Sequence, residues 1–154
     1  MPAPRSGSRI AAQLGVLLTR STRQTLYQRL VDEVDGVDVA TYPVISGLAR
    51  TGPTTATRLA ATIGVDRSAT TRYASKLEAA GLISRTVDPE DARATQLALT
   101  PAGEHAVAVM RGQLAAAIDD AVSTWPAGDA LAFATLLERF TDSLVDASRA
   151  PAGP

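Results

Sequence analysis

Two adjoining stretches decide the fold: Val65-Asp-Arg-Ser-Ala-Thr-Thr-Arg-Tyr-Ala-Ser-Lys-Leu-Glu-Ala-Ala-Gly-Leu-Ile83, and Asp88-Pro-Glu-Asp-Ala-Arg-Ala-Thr-Gln-Leu-Ala-Leu-Thr-Pro-Ala-Gly103. In the first, Asp66 is a helix-capping residue type, because its carboxylate can accept from orphan backbone N–H groups. The predicted helix covers roughly 67–80 and stops at Gly81, which tolerates the left-handed turn that ends helices. Leu82 to Val87 and Thr95 to Leu99 are strand-like, with Ile83/Val87 and Leu97/Leu99 in alternation. The polar, turn-prone residues 88–94 between them make a hairpin. Thr100-Pro101 then opens a new helix, a capping hydroxyl followed by proline where a missing N–H costs nothing.

Working outward, Thr51-Gly52-Pro53 is a turn. Thr55 caps a short helix with Leu59, Ala60 and Ile63 on one side, ended by Gly64. Helix, tight turn, second helix and hairpin is the winged helix-turn-helix order. In that geometry the second helix fits the major groove and the hairpin reaches towards the neighbouring minor groove. The second helix should be two-faced, and Ala69, Tyr73, Leu77 and Ala80 fall on one side. Ser68, Thr71, Arg72 and Ser75 fall on the other, with Arg67 at the N-terminal end, where the helix also attracts a phosphate. Lys76 is grouped with these as a DNA contact. Such a face equally suits a merely solvated helix. Two features favour DNA: the face lacks the Glu/Lys pairs of a solvating helix, and Arg93 ends the hairpin loop, placed for minor-groove insertion.

The rest of the chain reads as helical. A first helix runs from about Arg9 to Asp32, with Ile10, Leu14, Leu17, Leu18, Tyr27 and Leu30 at helical spacing, and Asp35-Gly36 ends it. A second lies within 38–50 around Val44, Ile45 and Leu48. If Asp38 caps it, Pro43 would lose an internal hydrogen bond, so this helix either starts late or bends. From Pro101, apolar residues Val107, Met110, Leu114, Ile118, Ala121, Val122 and Trp125 recur at three- and four-residue steps. About 24 residues at ~1.5 Å rise make a rod of ~36 Å, longer than so small a domain hides alone. Pro126-Ala-Gly128 breaks it, and a final helix with Leu131, Phe133, Leu137, Phe140 and Leu144 extends to about Ser148. The breaker-rich ends, 1–8 and 149–154, read as disordered. The fold class is mainly α with a small β-hairpin wing: a winged helix-turn-helix lobe over 37–100, and a helical region over 9–36 and 101–148.

Among the 154 residues there is no cysteine, which excludes disulfides, zinc fingers and thiol chemistry. No apolar run approaches the ~18 residues of a membrane span, and the arginine-bearing start does not read as a signal peptide. No nucleophile–base pair, phosphate loop or metal cluster is visible, so neither catalysis nor a cofactor is expected. The expected compartment is the cytoplasm. Net charge is −1 but unevenly spread: residues 1–30 carry +5, 31–49 carry −4, 50–93 carry +2 and 94–154 carry −4. A DNA binder needs a local positive face rather than a basic total, and this segmentation permits one.

The Val65–Ile83 run resembles the recognition-helix segment of the MarR (multiple antibiotic resistance regulator) family. Asp88–Arg93 followed by Leu97–Gly103 is similar to that family's wing signature, an Asp-x-Arg and then Leu-Thr-x-x-Gly. The match is dense over 55–104; elsewhere helix order and length carry it. The resemblance implies a homodimer whose terminal helices interlock, binding pseudo-palindromic double-stranded operators, commonly as a repressor. It also implies a small, often aromatic ligand that binds between the dimerisation helices and the winged lobe and alters operator affinity. On this chain it places Ser68, Thr71, Arg72 and Ser75 at the major groove, Arg93 at the minor groove, and Asp91 as a brace of the wing through an arginine. Ala92 stands where the family often has a second arginine, which implies a weaker grip by the wing. Arg58 stands where a glutamate would complete a capping box with Thr55, and is expected to contact phosphate instead.

Tyr27 and Tyr42 lie on helices that would line the ligand pocket, as core, pocket wall or both. The single histidine, His105, reads as a surface or junction residue, and Trp125 as a packing anchor at a helix end. The acidic runs 32–35 and 119–120 read as solvated faces. A winged-helix protein-interaction module that has lost DNA binding is the competing reading, motivated by Ala92 and the modest charge of the lobe.

Overall fold

A computed structural model describes residues 6–149. The elements in chain order are α1 (Ser6–Leu18), α2 (Arg20–Val31), α3 (Tyr42–Thr51), β1 (Thr54–Thr55), α4 (Ala56–Ile63), α5 (Arg67–Ala79), β2 (Ile83–Val87), β3 (Thr95–Leu99), α6 (Pro101–Val122) and α7 (Asp129–Arg149). They form two compact units, one up to Leu114 and one from Ala115 onward.

In the first unit, α3, α4, α5 and the sheet enclose a core of Val44, Ile45, Leu48, Leu59, Ala74, Leu77, Ile83 and Leu97, closed by Val107 and Met110 of α6. Burying each large aliphatic side chain stabilises the lobe by ~1.5–3 kcal/mol. The capping residues read from sequence act as expected: Thr55 accepts from the Arg58 N–H and Asp66 from the Ala69 N–H. Gly64, at φ 67°, ends α4 in the left-handed region, where a Cβ would be strained.

The sheet has three strands rather than the two of a hairpin, in the order β1-β3-β2, all antiparallel. The added strand is the pair Thr54–Thr55 beside Leu97 and Gln96. Two residues have no readable period, and the Thr55 that pairs here also caps α4. The wing is therefore attached to the helix-turn-helix by backbone hydrogen bonds.

Pro43 is accommodated by a late start. Helix α3 begins at Tyr42, so the proline sits in the first turn. Asp38 closes the preceding turn, its Oδ1 accepting from the Thr41 N–H at 2.8 Å while the Asp38 N–H donates to the Thr41 Oγ1 at 2.9 Å.

The start of α6 is locked to the strands. The Thr100 Oγ1 donates to the Gly81 carbonyl at 2.7 Å and accepts from the Gly103 N–H at 3.1 Å, while the Thr100 N–H donates to the Leu82 carbonyl. A Cβ at residue 103 would collide with that Leu82 carbonyl oxygen. The Leu-Thr-x-x-Gly pattern thus encodes a cap plus a close helix–strand approach.

Three expectations are corrected at the ends of the chain. The single helix over 9–32 is two helices, because Thr19 is extended (ψ 147°) and caps α2 through its hydroxyl, which accepts from the Thr22 N–H. Ser6, Gly7 and Ser8, read as disordered, belong to α1, and Arg149 is the last residue of α7, since nothing after Pro4 or before Pro151 bars a helix. The remainder of those end segments, 1–5 and 150–154, lies outside the described residues. Helix α6 stops at Val122, short of Trp125, and Gly128 at φ 90° turns the chain into α7.

Terminal helices bury little within the chain. Helix α1 has no buried residue, and every described side chain of α7 is at least partly exposed. In the second unit, Trp125 and Phe133 meet edge to face at 5.5 Å, yet stay 42% and 47% exposed.

Candidate nucleic-acid interface

Helix α5 has two faces, rotated slightly from the expected ones. Thr70, Ala74 and Leu77 are fully buried, Ala69 and Tyr73 are half-buried, and Ala80 is exposed rather than core. Thr70 takes a core position because its hydroxyl donates to the Asp66 carbonyl at 2.9 Å, leaving only its methyl for packing. Arg67, Ser68, Thr71, Arg72, Ser75 and Lys76 are all exposed.

Several of these side chains are already engaged. The Thr71 hydroxyl donates to the Arg67 carbonyl and the Ser75 hydroxyl to the Thr71 carbonyl, along the helix. The Arg72 guanidinium lies 5.2 Å from the centroid of the Tyr73 ring. Lys76 Nζ is 3.9 Å from the carboxylate of Asp38. Burial opposes ionisation of Asp38, but hydrogen bonds from Thr41 and the charge of Lys76 outweigh it and hold the carboxyl below its ordinary value.

The wing is a braced hairpin. Ile83 pairs with Leu99, Arg85 with Leu97 and Val87 with Thr95. At its tip, the Asp88 N–H donates to the Ala94 carbonyl and the Asp88 Oδ1 accepts from the Glu90 N–H, both at 2.9 Å. The Asp91 Oδ1 accepts from the Arg93 N–H at 2.9 Å. Asp91 therefore braces the wing through the loop backbone, not through an arginine side chain. A carboxylate two residues before an N–H closes an Asx turn, which is the shorter reach. Among the described residues Arg93 makes no ion pair, so its exposed guanidinium can extend from the tip. Arg58 stands 3.9 Å from Glu90 of the wing, both side chains largely exposed, an arrangement that contributes little stability and leaves the arginine accessible.

Sequence reasoning missed two features. Asp88, only 5% exposed, is the buried anchor of the wing loop; an Asp-Pro step is a turn-initiating signal that could have identified it. Arg85 joins the wing to α5, its Nε 2.9 Å from Glu78 Oε2 and its Nη2 donating to Ser75 Oγ at 2.8 Å. No periodicity signals that contact.

The two candidate ligand residues meet. The rings of Tyr27 on α2 and Tyr42 on α3 lie 4.4 Å apart, tilted by 46°. Burial, and then Tyr27, push the Tyr42 phenol above its ordinary value, against the pull of Arg50, Ser46 and Arg111. The two described concavities have other linings: about 410 Å³ along Ser21, Thr22, Thr25, Leu26 and Arg29 of α2, and about 190 Å³ between Val34, Leu82, His105 and Val109.

The geometry matches known proteins. The model of the MarR family matches residues 35–94, the segment that holds α3, the helix-turn-helix and most of the wing. Those residues are similar to the MarR family. A Thauera aromatica protein named as a transcriptional regulator for the hcr operon is 32% identical over 101 residues, covering 64% of this chain. The chain spans 61% of that relative's length. Among solved structures, the transcriptional regulator BldR from Sulfolobus solfataricus aligns over 95% of this chain and 99% of its own, at TM-score 0.69 and 20% identity. A MarR transcriptional regulator from Methanosarcina mazei aligns over 90% and 98%, at TM-score 0.71 and 17% identity. The MarR-type fold therefore extends beyond the matched segment, over nearly the full chain, and no helix of the described residues is long and apolar enough to cross a membrane.

Proposed function

We propose that this chain is a cytoplasmic transcriptional regulator that binds double-stranded DNA as a homodimer, with α5 in the major groove and the wing tip at the minor groove. The observation that carries the reading is the exposed polar and cationic face of α5 beside a braced wing that presents Arg93, both within a segment similar to the MarR family. Arg67, Ser68, Thr71 and Arg72 are the α5 contacts to base edges and phosphates, with Arg58 and Lys76 at the flanks. The 9–36 and 101–148 regions form the dimer, because α1 and α7 leave Leu17, Leu18, Leu131, Leu136 and Leu144 more than half exposed. A two-fold dimer implies a pseudo-palindromic operator with half-sites about one helical turn, ~34 Å, apart or a multiple of it.

The regulator acts as a repressor whose operator affinity shifts when a small aromatic ligand binds near Tyr27 and Tyr42. Two adjacent aromatic rings with Arg50 and Arg111 nearby supply stacking and a counter-charge for an aromatic anion. A fluorescence-anisotropy titration against the DNA upstream of its own gene, at several salt concentrations, tests the reading. Binding whose logarithm falls steeply with log salt supports it, since phosphate contacts release counterions. No binding at low salt overturns it.

The competing reading, a protein-interaction module, draws on the carboxylates beside its cations: Asp38 by Lys76 and Glu90 by Arg58. It requires any binding to be insensitive to salt. The same titration decides between the two.

A further inference from the structure

We propose that Arg85 is a positioning residue: it locks wing strand β2 onto α5 and withdraws Ser75 and Glu78 from the DNA surface. The inference rests on the DNA-binding reading above and removes Ser75 from the base contacts expected from sequence. Ser75 falls on the face that sequence assigns to base contacts, but both functions of its hydroxyl are taken. The hydrogen goes to the Thr71 carbonyl at 3.1 Å, and the oxygen accepts from Arg85 Nη2 at 2.8 Å. Three residues on, and so on the same face of the helix, Glu78 holds Arg85 Nε at 2.9 Å.

The guanidinium is well suited to this. Its rigid fork reaches two acceptors one helical turn apart, and its side chain is 30% exposed, far less solvated than an isolated surface arginine. Arg85 sits opposite Leu97 in the β2–β3 ladder. A contact at this point therefore sets the whole hairpin, and with it the Arg93 tip, relative to α5. Without Arg85, Glu78 would present an uncompensated carboxylate beside the groove and repel phosphates.

The test uses the full chain and a duplex enriched by the wild-type protein from a randomised pool, with affinity measured across a salt series. R85A should weaken binding roughly tenfold with the log–log salt slope unchanged, because no phosphate contact is lost. R85A/E78Q should recover only the part of that loss that comes from the bared carboxylate, because the lock on the wing stays broken. S75A should stay within about twofold and enrich the same motif, because a hydroxyl already donating to Thr71 and accepting from Arg85 has only one lone pair left for a base. R85K, which can satisfy one acceptor but not both, should fall between wild type and R85A; it carries the test if R85A melts below the assay temperature.

Three outcomes overturn the proposal: wild-type affinity in both R85A and R85K, a slope reduced by about one in R85A, which would make Arg85 a direct phosphate contact, or an S75A loss equal to that of R85A with an altered motif. A wild-type chain that enriches no motif at all removes the DNA-binding reading, and this inference with it.

Discussion

Arg72 and Arg93 are held in different ways, and that difference sets what their removal does. Arg93 has its backbone N–H fixed by Asp91 while its guanidinium makes no ion pair among the described residues, so under the proposed function it would approach DNA without an ion-pair partner to displace. Arg72 lies against Tyr73, an aromatic contact that binding to a groove under the proposed function would have to break or keep. Arg93→Ala should cost ~1–3 kcal/mol of binding and lower the salt slope by about one, as expected for a lost phosphate or minor-groove contact. Arg72→Ala should cost a similar amount and also relax base preference at one position of the selected motif. Unchanged affinity in both variants, measured by anisotropy, would remove these two residues from the interface. Residue-level chemistry was legible where side chains cap or are exposed: Thr55, Asp66, Thr100 and the cations of α5. It was not legible for Asp91, Ser75 or Arg85, because their partners are chosen by tertiary approach and not by spacing along the chain.

At the scale of elements, the turns and caps were the readable part, and the buried face of α5 was the part read slightly out of register. A threonine counts as polar in any pattern, yet Thr70 is fully buried with its hydroxyl satisfied by the Asp66 carbonyl. That carbonyl also accepts the Thr70 backbone N–H at 2.9 Å, so it keeps a partner if the hydroxyl goes. Thr70→Val should therefore change stability by less than ~1 kcal/mol, whereas Thr70→Ser, which deletes the packed methyl, should cost ~1 kcal/mol. Urea unfolding that ranks the two the other way would show that the hydroxyl, not the methyl, holds the helix.

The junction of α6 with the strands gives a larger effect. Gly103→Ala forces a methyl onto the Leu82 carbonyl oxygen, to which the Thr100 N–H also bonds. The backbone has to move, at a cost of at least ~1–3 kcal/mol by the same measurement.

The turn before α3 holds a carboxyl whose titration is tied to folding. The Asp38 carboxyl titrates below its unfolded value, so its stabilisation is fully present above the unfolded value of about 4 and is lost as pH falls through the lower folded one. Asp38→Asn keeps an acceptor for the Thr41 N–H but not the charge. It should flatten the acid limb of the stability–pH curve, and a curve that still falls in parallel with wild type would assign that limb to other carboxylates.

At the scale of the whole molecule, neither α1 nor α7 has a buried side chain among those described. A helix of 21 residues with no buried side chain among those described has no reason to persist in water on propensity alone. On α7, Phe133, Leu137 and Leu144 follow steps of four and seven, one stripe of a helix, and all stay more than 40% exposed. Sequence already pointed to a missing partner surface through the length of α6 and the apolar stripe of α7. It could not tell that α1 and α2 are separate helices, because the hydroxyl of Thr19 that divides them also suits a helix interior.

On the dimer reading proposed above, a second copy of the chain would satisfy both ends at once. Residues 1–30 carry +5 and 94–154 carry −4, so a dimer that sets the N-terminal helices of one copy near the C-terminal helices of the other gains apolar burial and charge complementarity together. Leu137→Glu with Leu144→Glu removes four apolar anchors per two-fold dimer, each worth ~1.5–3 kcal/mol when buried. The substituted chain should sediment as a monomer at micromolar concentration. Its winged lobe should keep its fold, because no residue of that lobe's core is touched. Operator affinity should then fall by orders of magnitude, towards that of a single half-site, since the second lobe no longer binds at high effective concentration. A variant that remains dimeric, or a monomer that binds the full operator as tightly as wild type, would disprove the link between the terminal helices and DNA reading.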